Sequence, residues 1–141
     1  MSLDFTDKVV IVTGAGGGLG KSHALDFARR GAKVVVNDLG GSVDGSEGTS
    51  TAAQGVVDEI IAAGGEAIAN GSSVTDDQGV ANMISQTMDA YGRIDVLVNN
   101  AGVLRDKSFA KMTIDDFSFV VDVHLFGTLK PTKAVWPIMK E

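Results

Sequence analysis

The sequence predicts a doubly wound α/β domain, in which helices cover both faces of a parallel sheet. Four short runs, KVVIV (8–12), KVVVN (33–37), EAIAN (66–70) and IDVLV (94–98), are apolar without polar alternation. Strands read this way when neither face meets water. Helix-length segments separate the runs, so strand and helix alternate along the chain. A glycine-rich stretch, TGAGGGLG (13–20), stands where the first strand gives way to the first helix. At 141 residues the chain is expected to form one domain spanning residues 1–141.

Each element has local signals for its ends. The first helix closes at ARRG, where Arg29 and Arg30 complement the negative end of the helix dipole and Gly31 is free to turn left-handed. Thr51 with Gln54, and Thr75 with Gln78, have capping-box spacing and are expected to open the second and third helices. Gly64 and Gly92 are placed to close them. A fourth helix begins near Thr113 and Asp116 and runs to about the end of the sequence. Pro131 falls inside it, removing an amide donor and crowding the carbonyl of Gly127, so a kink or an early end is expected there. Residues 40–50, GGSVDGSEGTS, read as a mobile loop after the second strand. In the doubly wound order these strands stand 3-2-1-4.

Composition narrows the functions available. The net charge of −6 argues against a nucleic-acid partner, which needs a basic face. No apolar run approaches the roughly 18 residues that span a bilayer, and no secretory leader is expected. The absence of cysteine removes thiol nucleophiles, disulfides and thiolate metal sites, and suits a reducing, cytoplasmic compartment. With only His23 and His124, a histidine metal site is not expected either. His23, inside the first helix, reads as a packed helix residue.

The glycines suit a phosphate. A helix N-terminus offers amides and the positive end of a dipole, and an anion comes close only where side chains are absent. Thr13, Gly14, Gly18 and Gly20 fit T-G-x-x-x-G-x-G, with Gly16, Gly17 and Leu19 between them. The G-x-G-x-x-G spacing fails, because its third glycine would be Leu19 or Lys21. Asp38 ends the second strand at close to the spacing of about 20 residues expected for an acid that binds a ribose. A carboxylate there accepts from both ribose hydroxyls and repels a 2′-phosphate. Neither Gly17 nor Leu39 supplies a cation for such a phosphate, so NAD is favoured over NADP. NNAG (99–102) follows the fourth strand, at the sheet end where ligands bind in open α/β folds. Taken alone it reads equally well as a turn.

Together TGAGGGLG, NDLGG, GRIDVLVNNAG and LRDKSFAKMTIDDF resemble the short-chain dehydrogenase/reductase family over essentially the whole chain. Within it they look like the dehydrogenase region of the peroxisomal multifunctional enzyme type 2 group, whose members oxidise (3R)-hydroxyacyl-CoA with NAD. The resemblance implies a Rossmann fold and a peroxisomal compartment in a eukaryote. It implies that Gly14 to Gly20 cradle the pyrophosphate and that Asp38 holds the adenosine ribose. Asn100, Ala101 and Gly102 would lie along the nicotinamide-side ribose, with Asn99 bracing neighbouring strands. Many members carry an acid beside the adenine; here Ser72 and Ser73 replace it, leaving the Ser73–Val74 backbone to flank the ring. The family's relay asparagine corresponds to His124, which either holds a relay water or simply packs in its helix.

The family's chemistry also requires a serine and a Tyr-x-x-x-Lys pair, in which the lysine lowers the pKa of a tyrosine base. Tyr91 is the one tyrosine, and four residues on stands Asp95. The fourth strand would be an unpaired sheet edge, and Val120, Val121, Leu125 and Leu129 would be partly bare. These features are expected of a truncated piece of a longer enzyme, or of a chain that self-associates through the fourth helix. Three readings follow: an NAD-dependent dehydrogenase acting on a small secondary alcohol or ketone, by resemblance an acyl thioester; a dinucleotide-binding module without chemistry; or an interaction protein.

Overall fold

The computed structural model describes residues 3–40 and 51–141. The elements run β1 (Val9–Val12), α1 (Gly18–Arg29), β2 (Lys33–Asn37), α2 (Thr51–Ala62), β3 (Glu66–Asn70), α3 (Asp77–Tyr91), β4 (Val96–Val98), α4 (Ile114–Val121), a π-helical turn (Asp122–Phe126) and α5 (Gly127–Met139). All strand pairs are parallel and the sheet order is β3-β2-β1-β4, as expected. Of the expected loop at 40–50, residues 41–50 lie outside the described residues.

The strands lack polar alternation because both of their faces are covered. Val10, Val12, Val34 and Val36 point to one side and pack with Ala24 of α1 and Ala53, Val56 and Ile60 of α2. Ile11 and Val35 point to the other, against Met83 of α3 and Val135 of α5. Asp95 fixes the start of β4 to β1: its Oδ2 accepts from the Val9 amide at 2.8 Å, and its own amide donates to the Val9 carbonyl. The Arg93 guanidinium holds both Asp95 oxygens and, with the Val9 amide, keeps this carboxyl below its ordinary pKa. Among the described residues β4 pairs only with β1, and its three residues are half-buried.

Helix ends follow the backbone. Gly31, Gly64 and Gly92 all have positive φ, and Gly92 caps α3 with φ 74°. Thr113 and Asp116 form a full capping box. The cap of α3 differs from the sequence reading, whereas the residue before α2 lies outside the described residues. Asp76 caps α3, accepting from the Gly79 amide at 2.8 Å, while Thr75 pairs with the Ser73 hydroxyl and Gln78 with Asn82. A carboxylate one position later offers a stronger acceptor at that end. Gln54 donates to Asp58 one turn on. Pro131 neither ends nor marks the irregularity: α5 continues through it and through Pro137 to Met139. The break lies one turn earlier, in the π turn, where the Gly127 amide reaches back to the Asp122 carbonyl. Pro131 itself is buried, seated where a ring is accommodated. His23 is exposed on α1 rather than packed.

Candidate functional site

The carboxyl ends of β1, β2, β3 and β4 open into one cleft of about 300 Å³. Gly14, Asp38, Ser73, Val74, Ala101 and Gly102 all line it. A larger cleft of about 610 Å³ sits at the opposite, amino end of the sheet, around Lys33 and Glu66. Open α/β sheets bind ligands at the carboxyl end, and the convergence of the glycine loop with Asp38 makes the smaller cleft the candidate site.

The glycine loop is built by close approach. A Cβ on Gly14 would lie 2.8 Å from Ala101 Cα, and one on Gly20 would lie 2.3 Å from the Gly14 carbonyl oxygen and 2.4 Å from Asn100 Nδ2. These two glycines let β1, α1 and the NNAG segment touch. Gly17 and Gly18 are different, since a Cβ on either would meet none of the described residues within 4 Å. No side chain caps α1, which begins at Gly18, and its first turn holds no acid. The loop therefore presents an uncapped helix N-terminus to open space, which is what an approaching phosphate requires. Leu19 stands exposed in that first turn.

Thr13 binds the loop to the fourth strand. Fully buried, its hydroxyl accepts from the Asn100 amide at 3.1 Å and the Ala101 amide at 3.0 Å, and donates to the Val98 carbonyl. Asn100 Nδ2 returns to the Gly14 carbonyl at 3.1 Å. Asn99 turns the other way and donates to Thr132 of α5 at 3.0 Å.

Asp38 sits at the end of β2 with each oxygen oriented by a backbone amide: Oδ2 accepts from Gly16 at 2.9 Å and Oδ1 from Gly40 at 2.8 Å. Gly16 is glycine because a Cβ there would lie 2.7 Å from Asp38 Oδ2. Each oxygen keeps a further lone pair for a ligand hydroxyl. Among the described residues, none lining the cleft is a lysine or arginine.

Two side-chain networks that the sequence reading passed over lie nearby, one bracing a wall of the cleft and one outside its lining. Asn37 Nδ2 donates to Asn70 Oδ1 at 2.7 Å and to the Ser72 carbonyl at 2.9 Å; Asn70 Nδ2 donates to Gln86, which reaches back to Ala69. This amide chain ties β2, β3 and α3 together under the Ser72–Val74 segment. The available signal was an asparagine closing each of two otherwise apolar strands. On the other side, Asp116 is 5% exposed and takes Arg105 on Oδ1 at 3.0 Å and Lys107 on Oδ2 at 2.9 Å. Lys107, the Thr113 amide and Arg105 hold its carboxyl far below the ordinary value, against the opposing effect of burial. Arg105 also lies over the Phe119 ring, 4.6 Å from its centroid.

His124 stands in the π turn, exposed to solvent on one side. Its Nε2 meets the Val103 main chain, 3.1 Å from the amide and 2.9 Å from the carbonyl. A ring protonated on Nδ1 accepts from the amide; a ring protonated on Nε2 donates to the carbonyl. A Cβ on Gly102 would lie 2.7 Å from His124 Cε1, so that glycine makes room for the ring. Tyr91 is remote from the cleft: it packs with Met88 and Ile84 against the core, under Lys33. Burial, then the nearby Glu66 carboxylate, raises its pKa, opposite to what a tyrosinate base needs.

A family model described as short chain dehydrogenase matches residues 8–141. The chain is 56% identical, over its whole length, to 31% of peroxisomal multifunctional enzyme A of Dictyostelium discoideum. It is 57% identical, over 99% of its length, to 15% of the peroxisomal hydratase-dehydrogenase-epimerase of Saccharomyces cerevisiae. Among solved structures, a short chain dehydrogenase from Mycobacterium avium superposes with TM-score 0.87 at 49% identity, covering 95% of this chain and 46% of that one. The chain thus spans less than a third of these two curated relatives.

Proposed function

The chain belongs to the short-chain dehydrogenase family, and we propose that it is the NAD-binding part of a longer dehydrogenase acting on a (3R)-hydroxyacyl thioester. The observation that carries the cofactor reading is the meeting, in one cleft, of an uncapped helix N-terminus flanked by open space and a braced carboxylate. The residues fit a dinucleotide. Gly14 to Gly20 would take the pyrophosphate, Asp38 the adenosine ribose, the Ser73–Val74 backbone the adenine, and Asn100 to Gly102 the second ribose. NAD rather than NADP is supported by the lack of a lining cation beside Asp38 and by the absence of lysine and arginine from residues 41–50.

When bound, the nicotinamide supplies a hydride acceptor for oxidation of the substrate alcohol. This chain's part is to hold and orient. Thr13 and Asn100 fix the main chain on the nicotinamide side, and His124 fixes Val103 just beyond it. With Nε2 engaged by Val103, Nδ1 is the ring nitrogen left to His124 for a relay water. The general base is assigned to the remainder of the longer protein, since Tyr91 is unsuited to the role. A peroxisomal compartment is supported by the names of the two curated relatives, whereas the thioester substrate rests on the resemblance of NDLGG and LRDKSFAKMTIDDF to the multifunctional enzyme group. No helix among the described residues is long and apolar enough to cross a membrane.

Self-association through the fourth helical segment belongs to the same reading. Leu125, Leu129 and Trp136 are 60%, 54% and 63% exposed, beside half-buried Val120 and Val121. The test of the activity is turnover by the full-length protein of (3R)- against (3S)-3-hydroxyacyl-CoA with NAD, followed by NADH absorbance. Turnover confined to the 3R substrate supports the proposal; none with either substrate leaves a dinucleotide-binding module without chemistry.

A further inference from the structure

One helical stretch reaches the wall of the cleft assigned to adenine from behind. Lys130 of α5 extends its ammonium to the Thr75 carbonyl at 2.8 Å and to Asp77 Oδ1 at 3.0 Å. Its side chain is 30% exposed, whereas that of Asp77 is 87% exposed. The carbonyl is therefore the better shielded of its two partners, and an exposed ion pair contributes little by itself. Three positions before Lys130, Gly127 is buried against the same segment, and a Cβ there would lie 2.7 Å from Val74 Cγ2. Within the segment, the Ser73 hydroxyl pairs with Thr75 and the Ser73 carbonyl accepts from the Asp76 amide. The turn that presents Val74 to the cleft is thus internally closed and anchored outward through Thr75.

We infer that Lys130 is a positioning residue for the adenosine half of the dinucleotide, holding the Ser73–Thr75 turn at the distance at which its backbone flanks the ring. The inference rests on the dinucleotide reading of the cleft. It assigns to a helix outside the cleft the rigidity of a wall that carries no acid to grip the base. A carbonyl held by a charged donor is held more strongly than by a neutral one, so losing the ammonium loosens the turn without touching the glycine loop or the NNAG segment.

The test compares AMP with nicotinamide mononucleotide, which share a ribose phosphate but occupy opposite halves of the cleft. In the full-length protein, Lys130→Met is expected to weaken AMP about tenfold, equivalent to about 1.4 kcal/mol, and to leave nicotinamide mononucleotide within about twofold. Lys130→Arg, which keeps a charged donor, is expected to restore AMP affinity. Gly127→Ala, which presses on Val74 from the same helix, is expected to show the same split and serves if Lys130→Met folds poorly. A merely structural role would lower the melting temperature while leaving the two ligands in their original ratio. Unchanged AMP affinity in a folded Lys130→Met protein, with NAD still weakened by Asp38→Ala, overturns this inference alone. An unmodified protein that binds neither AMP nor NAD overturns it together with the cofactor reading.

Discussion

Replacing Asn37 by alanine tests how the adenine-side wall is held. Asn37 is 2% exposed, and its Nδ2 serves Asn70 Oδ1 and the Ser72 carbonyl together. Alanine removes both bonds. Asn70 Oδ1 keeps the Ser72 amide at 3.0 Å, so the loss falls on the Ser72 carbonyl. An acceptor left unpaired beside the core costs about 1–3 kcal/mol, and the space vacated by the amide adds about 1 kcal/mol. The expected destabilisation is about 2–4 kcal/mol. A chain of this size unfolds with an entropy of roughly 0.3 kcal/mol/K, so the melting temperature should fall by about 7–13 °C. Asn37→Asp keeps the shape but turns an acceptor toward two acceptors, and should be worse than alanine at neutral pH. Urea unfolding followed by circular dichroism, at one fixed protein concentration, measures both. A loss under about 0.5 kcal/mol, the range of ordinary surface changes, or an aspartate variant as stable as the parent, would refute the reasoning.

Acid should weaken the fold through Asp116 and Asp95, both held below the ordinary value of 3.8 by their partners. A carboxyl depressed in the folded state stabilises above its unfolded pKa, and that contribution is lost as pH falls from 3.8 through the lower folded value. Asp116→Asn should therefore lower stability at pH 7 and flatten the decline below about pH 4, read from unfolding midpoints across pH. Gly20→Ala, with its Cβ against the Gly14 carbonyl and Asn100, should disrupt both fold and NAD binding. Gly17→Ala meets no atom and should change stability by under about 1 kcal/mol, yet weaken NAD by filling the space before α1; calorimetry and thermal melts separate the two. Leu129→Glu with Trp136→Glu should yield smaller species in sedimentation while the far-ultraviolet circular dichroism stays unchanged. An unaltered sedimentation coefficient counts against the helical face as the contact.

Sheet order and strand positions were legible because they depend on hydrophobic pattern, and two covered faces leave uninterrupted runs such as Val9–Val12 and Val34–Val36. The placement of Asp38 was legible too, since a strand end and a glycine loop are both local signals. The side-chain networks were not. Asn37, Asn70 and Gln86 are far apart in sequence, and only the β2–β3 register brings the two asparagines side by side. Asp116 reads locally as a capping residue, and nothing local announces that Arg105 and Lys107 fold back onto it. The π turn escaped because Pro131 was the visible irregularity, while the break sits beside His124 and Gly127, whose packing against Val103 and Val74 is tertiary. At α3 a threonine and a carboxylate one residue apart competed for the cap, and spacing alone did not rank them.

The most direct test of the cofactor site is a calorimetric titration of the full-length protein and its Asp38→Ala variant with NAD and with NADP. The account predicts that the parent binds NAD more tightly than NADP. Asp38→Ala should weaken NAD by about tenfold or more, the scale of a charge-assisted hydrogen bond, and narrow the gap between the two. Equal affinity for NAD in parent and variant, or a parent that prefers NADP, would contradict it.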